Sequence, residues 1–188
     1  NLLWGRPTIT DTIGSLTFHI SPRSFFQVNT HQAEVLYNKT MEFANLTGQE
    51  TVIDAYCGIG TISLSLAEKA KHVYAMEVVP DAVKMAEMNA AANNIDNITF
   101  EVGAAEEVMP KWAAEGVKAD VLVVDPPRKG LEPAFIEAAL EIAPERIVYV
   151  SCNPATMARD LQLFHEGGYS VGSIQPVDLF PQTLHVET

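Results

Sequence analysis

The 188-residue chain carries 24 acidic side chains against 12 Lys and Arg, a net charge of -12. Polyanion binding rests on Lys and Arg neutralising phosphates, so this balance argues against a chain that grips nucleic acid by itself. Hydrophobic residues make up 47 % of it, which excludes disorder, yet no apolar run approaches the roughly 18 residues of a membrane span.

Residues 8–20 are expected to form a short hairpin, because Thr8-Ile9-Thr10 and Leu16-Thr17-Phe18-His19-Ile20 flank a turn at Gly14. A helix is expected over 29–46, with Ala33, Leu36, Tyr37, Thr40 and Phe43 near one face and Gly48 as its stop. Strands then alternate with helices. The strands are expected at 52–55, 72–76, 98–102, 121–125 and 147–151, and the helices at about 61–69, 80–93, 133–142 and 155–164. Pro80 and Pro133 fall in first helical turns, where a missing N–H is no loss. Residues 169–180 suggest one or two further strands, antiparallel to the rest. The pattern predicts an α/β fold: a doubly wound, mostly parallel seven-stranded sheet of Rossmann-like type, preceded by a β-hairpin. The first residues lack a signal-peptide core and an initiator Met, so a piece of a longer protein is expected. The two cysteines form no C-x-x-C pair, which fits a reducing, cytoplasmic setting.

Three strand exits carry polar chemistry. The first is the glycine turn Asp54-Ala55-Tyr56-Cys57-Gly58-Ile59-Gly60. Glycines after a first strand let backbone approach a ligand closely. Ser63 replaces the third glycine of G-x-G-x-x-G, which weakens a dinucleotide reading and with it a nicotinamide-dependent enzyme. Glu77 ends the second strand about 20 residues on, where a carboxylate accepts from both ribose hydroxyls. Asp54 precedes the glycines and faces a cationic ligand end better than a phosphate. Acids on both sides of the turn suit S-adenosylmethionine, which carries an ammonium, a sulfonium and a ribose but no phosphate. Cys57, packed in the turn, is expected to be structural.

The second exit is Asp125-Pro126-Pro127-Arg128 and the third is Ser151-Cys152-Asn153-Pro154. In amino-methylating enzymes an aromatic residue follows D-P-P and stacks on the base; Arg128 stands there instead. A thiol points to another reaction. Carbon 5 of a pyrimidine is a poor nucleophile until something adds to carbon 6. A thiolate adding there makes carbon 5 an enolate that can attack a sulfonium methyl, and a base must then remove the carbon 5 proton. Cys152 is the candidate nucleophile, with Glu187 as base and His185 as the competing choice. The bland alternative is that Cys152 is an inert buried thiol.

Phe25-Phe26-Gln27-Val28-Asn29, the glycine turn, Asp125-Pro126-Pro127-Arg128-Lys129-Gly130-Leu131, Ser151-Cys152-Asn153-Pro154 and His185-Val186-Glu187 occur in an order that resembles the bacterial RNA 5-methyluridine methyltransferases. The resemblance covers nearly the whole chain. The ending from Asp178 to Thr188 looks more like the 23S ribosomal RNA branch than the transfer RNA branch. By this resemblance Cys152 is the nucleophile and Glu187 the base. Gln27, Tyr56, Gly58, Glu77 and Asp125 would hold S-adenosylmethionine, leaving S-adenosylhomocysteine as product, and Arg128 and Asn153 would face the substrate. No metal, membrane or protein partner is implied. The family often has an acid near the adenine after the third strand; here Gly103-Ala104-Ala105-Glu106 stands instead.

Many relatives carry an RNA-binding barrel ahead of this region. Residues 1–24 are therefore expected to be a hairpin and link to an upstream region, and 25–188 the catalytic domain. RNA, expected to be 23S ribosomal RNA, would be gripped mainly by that upstream part, and its target uridine splayed from its stack. The competing functions are a transfer RNA uridine or a cytosine carbon 5 methyltransferase, and a non-catalytic cofactor-binding or RNA-docking module.

Overall fold

The computed structural model describes residue 5 and residues 7–188; the reading of the other N-terminal residues lies outside them. Ile9–Ile13 (β1) and Leu16–Ile20 (β2) form the expected hairpin around Gly14, whose φ of 56° needs the left-handed region. Ile13, Leu16, Phe18 and Ile20 are buried, so the hairpin contributes to the core shared with the sheet.

The helix Thr30–Ala44 (α1) begins where Asn29 accepts from the Gln32 amide. It stops one turn before Gly48: Asn45 takes the left-handed C-cap itself, at φ 46°. Five parallel strands follow: Thr51–Ala55 (β3), His72–Glu77 (β4), Ile98–Val102 (β5), Val121–Val124 (β6) and Arg146–Tyr149 (β7). Their order across the sheet is β5-β4-β3-β6-β7, so the winding reverses between β3 and β6. The crossovers are Thr61–Ala67 (α2), Pro80–Ala92 (α3), Ala105–Ala114 (α4) and Pro133–Ile142 (α5), and Pro154–Glu166 (α6) follows β7. Pro80, Pro133 and Pro154 all sit in the first helical turn.

Alternate residues of the strands serve two cores. Val52, Val73, Val121, Val123 and Val148 pack with α1, α2, α3 and the hairpin. Ile53, Met76, Leu122 and Val124 pack with α4, α5 and Phe164 of α6. All four residues of β6 are fully buried, each stabilising by about 1.5–3 kcal/mol on transfer from water. That puts β6, between β3 and β7, among the most buried segments of the sheet.

Two expectations fail. The sheet has five strands, not seven, because 169–180 does not pair as strand: only an isolated antiparallel bridge joins Val177 to Glu187. Val171 and Ile174, which look strand-like, are more than half exposed and have no partner surface. The helix α4 lies outside the expected elements. Its Ala104 cap makes no side-chain bond and Pro110 sits inside it, so its local signals are poor. Burial of Val108, Met109 and Trp112 holds it in place. Among the described residues no helix is long and apolar enough to cross a membrane.

Candidate active site

Where the winding of an open parallel sheet reverses, the loops leaving adjacent strands diverge and open a crevice. Here that crevice lies between the ends of β3 and β6, the two strands that end beside Asp54 and Asp125. A pocket opens there, lined by Gln27, Tyr37, Asp54, Tyr56, Gly58 and Asp125, with Phe25 and Phe26 at its rim.

The turn after β3 is fixed by backbone. The Cys57 amide donates to Met76 O at 2.9 Å and the Gly60 amide to Cys57 O at 2.9 Å. Gly60 has φ 89°, and a Cβ there would lie 2.7 Å from Leu64 Cδ1 and 3.3 Å from Ala86 Cβ. Only glycine meets both demands. Tyr56 holds φ 67° without being glycine, a conformation uncommon for a bulky side chain and costing about 1–3 kcal/mol. It is kept there with its ring 6.0 Å from that of Phe135.

Glu77 ties this turn to the next crossover. One carboxylate oxygen accepts from the Gly58 amide at 3.1 Å and the other from the Val79 amide at 2.9 Å. Each oxygen retains capacity for a further donor. Ser63, in the place of the third glycine, donates its hydroxyl to Asp54. Both are buried. Burial raises the Asp54 carboxyl to about 7, against the Ser63 bond and with help from the Glu77 charge. Asp125 is raised to about 8 by desolvation, then by Glu187 and Asp54. Tyr37 is raised to about 12, again by burial first. The pocket is therefore short of positive charge, and a cationic ligand group would relieve it.

Across Asp125 lies the second half of the site. Cys152 follows β7 and is part-buried. The Ser151 amide donates to Thr188 O and the Thr188 amide to Ser151 O, both at 2.9 Å. Val177 and Glu187 exchange a similar pair at 2.8 and 3.2 Å. These four bonds draw Glu187, only 3 % exposed, to the side of the cysteine. Burial raises the Glu187 carboxyl above its ordinary range while Arg128 opposes that rise. Desolvation raises the Cys152 thiol first, then the Glu187 and Asp125 charges, with Arg128 again opposing. Arg128 is thus the cation whose charge reaches both groups. His185, the competing base, is exposed and points its ring toward Phe180 at 6.4 Å. Cys57 lies buried in the turn, its thiol held well above the ordinary range by burial.

The structure gathers Gln27, Tyr56, Gly58 and Asp125 around one pocket, with Glu77 bonded to its floor. It gathers Cys152, Glu187 and Arg128 beside it. Asn153 stands apart in behaviour, for both ends of its side chain are engaged by protein. Its oxygen accepts from Ala155 as the cap of α6, and its amide donates to Arg128 O at 3.1 Å. Sequence reasoning missed Tyr37 as a lining residue, because its place on the apolar face of α1 marks it as core. Burial raises the Tyr56 hydroxyl, and the charge of Glu106, in the first turn of α4, adds to that rise. No group of three or more His, Cys, Asp or Glu among the described residues is arranged to hold a metal.

Similarity to known proteins converges on one family. The chain is 59 % identical over 187 residues to an uncharacterized RNA methyltransferase of Halalkalibacterium halodurans, covering 100 % of this chain and 41 % of the relative. It is 60 % identical over 187 residues to another from Enterococcus faecalis, with the same coverage. The chain thus spans about two fifths of the length of the curated relatives it matches. Its fold superposes with TM-score 0.84 and 36 % identity on Pyrococcus abyssi tRNA (uracil-54, C5)-methyltransferase in complex with S-adenosyl-L-homocysteine, covering 98 % of this chain and 44 % of that one. A family model described as tRNA (Uracil-5-)-methyltransferase matches residues 12–188, and the chain belongs to that family.

Proposed function

We propose that this chain is the catalytic domain, with 1–24 as its link, of an enzyme that methylates carbon 5 of a uridine in RNA at the expense of S-adenosylmethionine. The observation that carries the reading is the backbone pairing of Ser151 with Thr188, which sets Glu187 beside Cys152 next to a pocket that holds Asp54 and Asp125. The pocket fits the cofactor by charge: Asp54 and Asp125 are both destabilised as anions, and an ammonium and a sulfonium would offset that. Gln27, Tyr56, Gly58, Glu77 and Asp125 would hold it, Glu77 through hydroxyls. When bound it supplies an electrophilic methyl group. S-adenosylhomocysteine would remain as product.

The chain's own residues supply the rest. The Cys152 thiolate adds to carbon 6 of the uracil, forming a C–S bond and moving the ring electrons to the enolate at carbons 4 and 5. Once carbon 5 carries the methyl group, Glu187 takes its proton, the ring double bond re-forms and the thiolate leaves. Arg128 favours the thiolate electrostatically. Glu187 is suited to the base role by its burial, which raises its proton affinity, and by its backbone clip to the strand next to the nucleophile. His185, out in solvent, has no such support.

The net charge of -12 supports a phosphate grip outside this chain, and relatives more than twice its length leave room for one. The ending from Asp178 to Thr188 favours 23S ribosomal RNA in the cytoplasm as target; the archaeal structure favours transfer RNA as the second reading. A trap with RNA containing 5-fluorouridine tests the chemistry, since fluorine cannot leave as a proton and the adduct accumulates. An adduct mapped to Cys152 by peptide mass spectrometry is expected when cofactor is present. The full-length Enterococcus relative serves as control. If neither protein forms an adduct while both bind cofactor and RNA, the covalent reaction is wrong. Presenting fluorinated 23S fragments against fluorinated transfer RNA separates the two targets.

A further inference from the structure

The loop after β6 carries Arg128 but is exposed at Pro127, Arg128 and Lys129, with no sheet partner of its own. It closes as a turn, the Gly130 amide donating to Pro127 O at 2.8 Å. Its remaining backbone groups are held by one element. Arg128 O accepts from Asn153 Nδ2 at 3.1 Å and Thr156 Oγ1 at 3.2 Å. Lys129 O accepts from Arg159 Nη2 at 2.9 Å, and Leu131 O from the same atom at 3.3 Å. The Leu131 amide donates to Asp160 Oδ2 at 2.7 Å. Asn153, Thr156 and Asp160 lie at the spacing of one helical face, starting at the cap of α6.

Asp160 is the anchor of this set. It is fully buried, where a carboxylate without partners would be costly. It has four: the Leu131 amide, the Tyr149 hydroxyl at 2.7 Å, and Arg159 through Nε at 2.9 Å and Nη2 at 2.7 Å. Arg159 is thereby oriented along the loop and donates to its carbonyls. The fit leaves no room, since a Cβ on Gly130 would lie 2.5 Å from Asp160 Oδ2 and 2.7 Å from Arg159 Nη2. A packing role alone would call for apolar side chains; this set reads the loop's carbonyls and one amide individually.

We propose that Asn153, Thr156, Arg159 and Asp160 form a positioning template on α6 that sets the turn from Pro127 to Gly130 and so holds Arg128 beside Cys152. Helix and nucleophile are continuous in the chain, because Asn153 follows Cys152 directly. The template therefore fixes the distance between the thiol and its cation from one rigid body. Asp160 and Arg159 bond to the loop backbone and to Tyr149 and lie outside the pocket lining, so they act through Arg128. The inference rests on the reading of Cys152 as nucleophile, but its test needs no methyl transfer.

The test is the pH profile of Cys152 alkylation by iodoacetamide, followed by peptide mass spectrometry, which separates it from buried Cys57. Cys152 faces Glu187 and Asp125 as acids and Arg128 as the cation. Arg128→Ala should move the midpoint upward by about half to one pH unit. That is roughly a threefold to tenfold slower reaction at fixed pH below the midpoint. Asp160→Asn should reproduce most of this shift while S-adenosylhomocysteine affinity, measured by calorimetry, stays unchanged. Thr156→Val, at a half-exposed site, should shift the midpoint in the same direction by less, and decides the matter should Asp160→Asn not fold. A midpoint unmoved in Thr156→Val and in folded Asp160→Asn would overturn the template, as would an unmoved midpoint in Arg128→Ala. If the 5-fluorouridine adduct never forms on the wild-type protein, the function fails instead, whatever these midpoints show.

Discussion

The two halves of the site are built on opposite principles. The half proposed to hold the cofactor, around the β3 turn, is made of backbone amides, tight glycines and the buried carboxyl of Asp54. The half around Cys152, proposed for the substrate, joins the loop after β6, the start of α6 and residues 186–188 by hydrogen bonds. Asp54 and Ser63 are nine residues apart, whereas Asn153 reaches Arg128 across 25 residues. A pocket that binds the same ligand in every turnover can be written locally and kept rigid. The loops proposed to accept a base turned out of folded RNA are instead held by a single helix.

If the halves are separable, the largest effect belongs to Cys152→Ser. Single-turnover methyl transfer should fall by at least about a thousandfold, while S-adenosylhomocysteine affinity stays within roughly twofold, as expected for groups that do not share partners. Loss of both together would break the comparison. A smaller effect tests the cofactor half alone. Gly60→Ala must place its Cβ against Leu64 and Ala86 at φ 89°, and should destabilise by about 1–3 kcal/mol in thermal unfolding. Gly58→Ala meets nothing within 4 Å and should cost less; the reverse ranking would mean that the turn is not limited by its packing on α3.

The smallest effect is electrostatic. Asp54 and Asp125, raised to about 7 and about 8, keep protons in the folded chain that the unfolded chain has released above about pH 4. Between pH 6 and 8 the folded state therefore binds more protons than the unfolded state, and this contribution to stability is lost as pH rises. The melting temperature without ligand should drop by a few degrees across that window. Asp125→Asn should flatten the slope. Adding S-adenosylhomocysteine should flatten it as well, because its ammonium compensates the ionised acids. A slope that ignores both changes would mean the pocket acids are not what titrates.

Much of the cofactor half was legible in the sequence, and the reason is local. Val121-Leu122-Val123-Val124 can only be a strand buried on both faces, and Gly58 and Gly60 after an apolar run mark a turn that needs positive φ. The paired carboxyls of Asp54 and Glu77 followed from their places at strand ends. What stayed hidden was tertiary. Arg159 and Asp160 look like a solvated charge pair on a helix, yet one of them is sealed under a loop. Residues 169–180 carry enough β-branched and aromatic side chains to suggest strands, but propensity without a partner edge forms none. The helix α4 was concealed by its proline and its uncapped start. Ser63 read as a missing glycine; in the structure its hydroxyl is the partner of Asp54.

The antiparallel clip between Ser151 and Thr188 has a consequence in time. A protein is made from its N-terminus, and its parts pack as they emerge. The glycine turn and its acids can form before residues 186–188 emerge, and Cys152 follows, so Glu187, the proposed base, comes after both. A nascent chain of this kind would hold a pocket and a thiol without the group that lets the thiol go. By the proposed reaction a uracil bonded to such a thiol could not be released until Glu187 is paired in place, so completion of turnover, not attack, would wait on that stretch of backbone.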